Sequence, residues 1–238
     1  MTYVALTTEE RAVRAPAKSV YHVTKRCADL VGAALLLAVG FPLFILIAAL
    51  IRLDSPGPVL YRQERMGSRS RRWHGKRVWQ PEPFVFLKFR TMATGVDSSV
   101  HEEHVAAFVG GELRPTSTTN ARFKLEKDAR VTRIGRVLRR ASLDELPQLI
   151  NVLKGDMSLV GPRPVPLYEV SHYTVDHRAR FAALPGLTGL WQVSGRCDVS
   201  FAEMIDLDLR YVRNQSIWLD AKILLLTIPA VIGGRGAG

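Results

Sequence analysis

From Leu30 to Ile51 the chain reads LVGAALLLAVGFPLFILIAALI, 22 residues without a charge. That is long enough to cross the apolar core of a bilayer as a straight helix. Gly40 and Pro42 fall near its middle, and a proline there removes one backbone hydrogen bond and bends the helix. Lys25 and Arg26 precede the run, while Arg52, Arg62, Arg65, Arg69, Arg71 and Arg72 follow it. Because positively charged flanks stay on the cytoplasmic side, both ends belong on one face of the membrane. The pattern predicts a re-entrant helix-break-helix over residues 25–56, with Pro42 as the membrane break. An ordinary span that tolerates its proline is the alternative. The cluster Asp54-Ser55-Pro56-Gly57-Pro58 ends the element.

Downstream the periods change. Phe84 to Phe89, FVFLKF, reads as a buried strand that delivers Lys88 and Arg90 to its end. Ser142 followed by Glu145 fits a capping box, which starts a helix at Ser142 to Asp144 and carries it toward Lys154, with Pro147 in its first turns. Helices are also predicted over Tyr168 to Phe181 and from Phe201 to about Arg213, the latter capped by Asp198 or Ser200. Ile217 to Ile232 is apolar but contains Asp220, Lys222 and Pro229, which suits a helix lying in the membrane interface. The fold class that results is α+β and mainly helical. Residues 1–24 form a tail or lead-in helix with no secretory cleavage pattern. Residues 57–238 form a small catalytic domain with interfacial helices.

Composition narrows the partners. A net charge of +11 and a pI near 10.1 attract nucleic acid, anionic lipid or phosphorylated substrates alike. Ser68 to Pro83 interleaves Arg69, Arg71, Arg72, Lys76 and Arg77 with Trp73 and Trp79, as an anionic membrane interface would ask. No nucleic-acid-binding pattern accompanies it, so nucleic acid is not an expected partner. Cys27 and Cys197 have no metal-binding spacing, which predicts a reducing compartment. His101-Glu102-Glu103-His104 lacks the i, i+4 histidine pair of a zincin helix and reads as an exposed face. P-loop and dinucleotide fingerprints are absent.

The chemistry concentrates between Arg139 and Pro164, RRASLDELPQLINVLKGDMSLVGPRP. Adjacent carboxylates, Asp144 and Glu145, stand among basic residues, with Arg130, Arg133, Arg136 and Arg139 recurring every third residue before them. In Gly161-Pro162-Arg163-Pro164 two prolines fix the backbone around one arginine, which suits a guanidinium that grips a planar anion. Carboxylates beside a phosphate repel it unless they bind a divalent cation or attack the phosphorus. The plain alternative is that Ser142, Asp144 and Glu145 only cap a helix.

KFRTM (Lys88 to Met92), RVTRIGRVLRRASLDELPQL (Arg130 to Leu149), SLVGPRP (Ser158 to Pro164) and PGLTGLWQVSGR (Pro185 to Arg196) together resemble the bacterial sugar transferases, the monotopic phosphoglycosyl transferases. The resemblance covers Lys25 to Ile232. It implies an enzyme on the cytoplasmic face of the bacterial inner membrane. Such an enzyme moves a sugar phosphate from a nucleotide sugar, UDP-linked by the same resemblance, to polyprenol (undecaprenyl) phosphate in exopolysaccharide or other glycan assembly. Asp144 is then the nucleophile that forms a phosphosugar-aspartyl intermediate, with Glu145 in metal or proton handling. Mg2+ is the implied cofactor, held at Asp144 and Glu145. Lys88, Arg90, Arg139, Arg163 and Arg196 are the implied phosphate or nucleotide ligands. Two departures from the family stand out: Phe41, not serine, precedes Pro42, and the stretch from 68 to 83 is longer than usual. Homodimerisation is left open. The competing class is a membrane-anchored basic adaptor without chemistry, whose binding would fall steeply with salt.

Overall fold

The computed structural model describes residues 13–14, 19–73, 76–93, 99–110, 130–194 and 199–233. Helix α1, Ser19–Asp54, is 36 residues long and helical through Pro42, so the expected two helices form one element that begins before residue 25. Pro42 removes only one hydrogen bond, and the leucine, alanine and isoleucine on either side carry the helix across it. Asp29, Ala33, Ile47 and Ile51 are buried, with Leu37 and Phe44 packed between them. These positions recur at steps of three, four or seven residues and make one stripe along the helix. The opposite face is apolar and bare: Val31, Leu35 and Val39 are 69, 61 and 74% exposed. By length and composition α1 can cross a membrane, yet both of its ends rest on the same domain. Arg26 bonds the Val152 and Leu153 carbonyls near one end, and Asp54 accepts from the Ile134 N–H at the other.

A hairpin of β2 (Leu60–Trp73) and β3 (Lys76–Phe89) forms the main sheet. Strand β1 (Val13–Arg14) pairs with β3, and β5 (Val165–Pro166) pairs with β2, all antiparallel. The segment from 68 to 83 is thus the outer half of this hairpin, with Arg69 paired to Gln80 and Ser70 to Trp79 in register. Trp79 is 3% exposed, so this tryptophan belongs to the core and does not face a membrane. Strand β4 (Ser158–Val160) runs parallel to β6 (Gly186–Thr188) in a second, small sheet.

Helices fill the rest: α2 (Ser99–Val109), α3 (Arg133–Arg140), α4 (Gln148–Lys154), α5 (Leu167–Val170), α6 (Val175–Arg178), α7 (Leu190–Ser194), α8 (Phe201–Asn214) and α9 (Ile217–Ile232). The single helix expected over Tyr168 to Phe181 is divided into α5, α6 and a 3-10 turn, Ala179–Phe181. Thr174 starts the second helix anew by capping the His177 N–H. Ser200 forms the capping box of α8 with Glu203. Helix α9 covers the expected range, and Trp218 and Leu225 on it are 85 and 68% exposed. Glu102 and Glu103 of α2 are exposed, as expected; the side chains of His101 and His104 lie outside the described residues.

Candidate active site

The expected capping box at Ser142 does not form. Ser142 adopts a left-handed backbone, φ 56°, and caps nothing with its side chain. Such a conformation is uncommon for a residue with a β-carbon. It turns the chain sharply after α3, and a 3-10 turn, Leu143–Glu145, carries the two carboxylates before α4 begins at Gln148. Pro147 explains the late start, since it has no N–H to donate. Glu145 is thereby released from helix capping and meets Arg163 in a two-point ion pair, Nη2 to Oε1 2.5 Å and Nη1 to Oε2 3.2 Å. Asp144 is 8% exposed.

Helix α3 is set against the end of β3 by a glycine. A β-carbon at Gly135 would lie 2.1 Å from the Thr91 carbonyl oxygen, so only glycine allows this approach. Arg139, one turn on, donates from Nε to Thr91 Oγ1 at 3.0 Å. Lys88 is half-buried beside Tyr61, its ammonium 5.3 Å from the ring centroid. Burial pushes its pKa down to about 8; Arg65 and Arg139 push the same way, against Asp144 and Glu145. Lys88, Arg139, Asp144, Glu145 and Arg163 therefore occupy one electrostatic neighbourhood.

Arg65 is a member that the sequence pattern did not single out. Its guanidinium lies 4.1 Å from the centroid of Phe86 and donates to the Pro164 carbonyl at 3.0 Å. Burial, then Arg163, pull its pKa down to about 10, while Glu145 and Glu169 oppose them. The signal was the strand alternation of Arg65 in β2, masked by the abundance of arginine around it.

Arg90 is a correction. It is 4% exposed and its Nη1 and Nη2 donate to the carbonyls of Pro56 and Ser55, each at 2.6 Å. It clamps the carbonyls at the end of α1 with both terminal nitrogens, which are therefore not offered to a phosphate. Arg196 lies outside the described residues. Gly186 and Gly189 allow a close backbone approach to the Gly161 loop. A β-carbon on Gly186 would lie 2.1 Å from the Gly161 nitrogen, and the Gly186 N–H donates to the Pro162 carbonyl at 2.8 Å. Trp191 of that stretch is buried core.

Arg163 is held from behind. Its carbonyl accepts from Arg180 Nη2 at 3.1 Å, and the same nitrogen donates to Asp208 at 2.5 Å. Arg180, Asp208 and Glu169 are each 1% exposed or less. Tyr173 bridges them, accepting from Arg180 and donating to Glu169 at 2.5 Å.

Among the described residues no three His, Cys, Asp or Glu side chains gather as metal ligands. A site with one or two carboxylates is the kind magnesium occupies when phosphate oxygens and waters complete its shell. Asp144 fits that part; Glu145 is already gripped by Arg163.

Residues 20–234 match the model of the bacterial sugar transferase family. The chain belongs to that family. Over 215 residues it is 40% identical to the exopolysaccharide production protein ExoY of Rhizobium meliloti, covering 90% of this chain and 88% of that one. It is 42% identical over 216 residues to the UDP-glucose:undecaprenyl-phosphate glucose-1-phosphate transferase of Caulobacter vibrioides, across 87% of this chain and 69% of the other. The galactosyl transferase CpsE of Streptococcus agalactiae is 40% identical, but the match spans only 43% of its length. This sugar transferase is an enzyme of the phosphoglycosyl transferase type. With α1, that makes it membrane-associated.

Proposed function

We propose that the enzyme transfers a sugar-1-phosphate from a nucleotide sugar, a UDP-sugar by analogy with the relatives, to undecaprenyl phosphate, and so starts an exopolysaccharide or related glycan. The observation that supports this most is the gathering of Lys88, Arg139, Arg163 and Arg65 about the turn that carries Asp144 and Glu145, where Lys88 acts on Asp144 and Glu145 is spent on Arg163. A carboxylate surrounded by fixed cations is placed to accept a diphosphate and to attack it. Asp144 forms a bond from Oδ to the sugar-bearing phosphorus as the bond from that phosphorus to the bridging oxygen breaks. The electron pair leaves with UMP. An oxygen of the lipid phosphate then attacks the same phosphorus and returns the Asp144 carboxylate. Lys88 and Arg139 stabilise charge on the transferring phosphoryl, and Arg163 is orientated by Glu145 on one side and Arg180 on the other. Magnesium, when bound at Asp144, offsets diphosphate charge. The test is release of nucleoside monophosphate across a panel of nucleotide sugars with undecaprenyl phosphate. Failure of every donor to release it would reject the reading.

Lys88 gives this reading a pH signature. Its amine is protonated below about 8, so its charge is lost as pH rises through that value. The expected kcat/KM for nucleotide sugar, which reports the free enzyme, falls on a basic limb near pH 8. In Lys88→Arg the guanidinium stays charged and the limb moves up by more than one pH unit. A limb that stays put in this variant would assign it to another group.

We further propose that α1 enters and leaves the bilayer on the cytoplasmic face. Attachment of both its ends to one domain supports this. In a background with Cys27 and Cys197 replaced by serine, Thr24→Cys and Leu53→Cys place thiols at exposed positions on either side. Both should react with an impermeant maleimide only in inverted vesicles. Labelling of either one in right-side-out vesicles would mean an ordinary span.

A further inference from the structure

Away from Asp144, a cavity of about 230 Å³ lies between the first turns of α1, the outer half of the β2–β3 hairpin and the start of the loop after α4. Its lining includes Lys25, Arg26, Asp29, Arg69 and Trp79. The charges there are not all matched. Lys25 pairs with Asp220 at 2.9 Å, and Arg69 lies 3.6 Å from both Glu82 and Asp156. Arg26 bonds to two carbonyls, and Asp29 accepts the Leu159 N–H through Oδ1, with the Ser158 hydroxyl also bonding its carboxylate and the Lys25 ammonium acting on it. Arg26 and Asp29 thus place one positive and one negative group three residues apart on one helix, and Asp29 shares the Lys25 charge with Asp220. In this wall Asp29 Oδ2 and Trp79 Nε1 lack a hydrogen bond, and both residues are 3% exposed. A buried donor and a buried acceptor left unsatisfied in this way each carry a desolvation cost that a ligand can remove.

From this geometry we infer that the cavity receives the zwitterionic headgroup of a membrane phospholipid bearing a primary ammonium, its phosphate toward Arg26 and the Trp79 indole N–H and its ammonium toward Asp29. The position supports a lipid source, since Leu30, the next residue after Asp29, begins the uncharged stretch of α1. The site also gives a role to the Trp79 indole N–H, which the phosphoryl-transfer chemistry leaves unused.

The full chain in detergent micelles, titrated with dihexanoyl phosphatidylethanolamine and dihexanoyl phosphatidylcholine and followed by thermal unfolding, tests this. The expected apparent affinity is at least about tenfold higher for the ethanolamine lipid, because a choline has no N–H for Asp29. Asp29→Asn, which keeps an oxygen for Leu159, should abolish that preference. Trp79→Phe should weaken both lipids about equally, and it decides the matter alone if the Asp29 variant does not fold. Equal affinity for the two lipids, or an unchanged affinity in Trp79→Phe, would overturn the assignment. The same response to phosphoethanolamine without acyl chains would overturn the lipid source.

Discussion

Asp144→Asn is expected to abolish UMP release and to prevent any phosphosugar adduct, while unfolding temperature and detergent extraction stay as in the unaltered enzyme. The amide is nearly isosteric, so the 3-10 turn and its neighbours have no reason to move. What it lacks is a carboxylate oxygen able to attack phosphorus. Removal of a general base alone costs about 10²–10⁴ in rate, and a lost nucleophile should fall at or beyond the upper end. Intact mass spectrometry after incubation with nucleotide sugar and no lipid supplies the positive half: the unaltered enzyme should gain one sugar-phosphate and the variant none. Residual turnover above a few per cent would remove Asp144 as the nucleophile.

The second large effect lies behind the site. Arg180→Met leaves Asp208 and Glu169 buried without their cation, and breaking a buried ion pair from one side costs about 3–5 kcal/mol. Burial holds the Asp208 pKa up at about 6, with Arg180 opposing it. A folded-state value raised above the ordinary 3.8 means that this group's stabilisation is present below about pH 4 and is lost as pH rises through 6. Without Arg180 the opposing influence disappears and the protonated form is favoured further. The variant's deficit in unfolding temperature should therefore shrink as pH falls from 8 to 5, contrary to the usual acid weakening. A deficit independent of pH would mean that the loss is one of packing. Activity should fall as well, because Arg180 also holds the carbonyl of Arg163.

The parts of this enzyme that were legible from sequence share a local cause. The strand ending in Lys88, the Ser200 cap and the range of α9 depend on neighbours in the chain, and short-range pattern reports them. Asp144, Glu145, Arg139, Arg163 and Lys88 stand out in the sequence because charge crowding and the family motifs mark them. What was misread depends on contacts distant in sequence. Ser142 and Glu145 have capping-box spacing, but Arg163, 18 residues on from Glu145, takes that carboxylate. Arg90 looks like a phosphate ligand until the end of α1, 35 residues earlier, is seen to supply its acceptors. Arg65 and Arg180 differ in no local way from the other arginines. A helix that continues through Pro42 likewise reflects the flanking residues and the domain beneath it.

The buried stripe of α1 has a bearing on how the enzyme comes to exist. Ala33 is fully buried in a core cluster shared with α4 and β4, and Ile47 packs with Phe89 and Leu138. The apolar helix is consequently part of the catalytic domain's interior as much as an anchor. A ribosome makes it before any of its partners, so it must wait, already engaged with lipid on its outer face, for the rest of the chain to arrive. Removing it to obtain a soluble fragment would strip one wall from the core. Maturation is therefore tied to the bilayer surface, and the enzyme becomes active only where its substrate lipid is found.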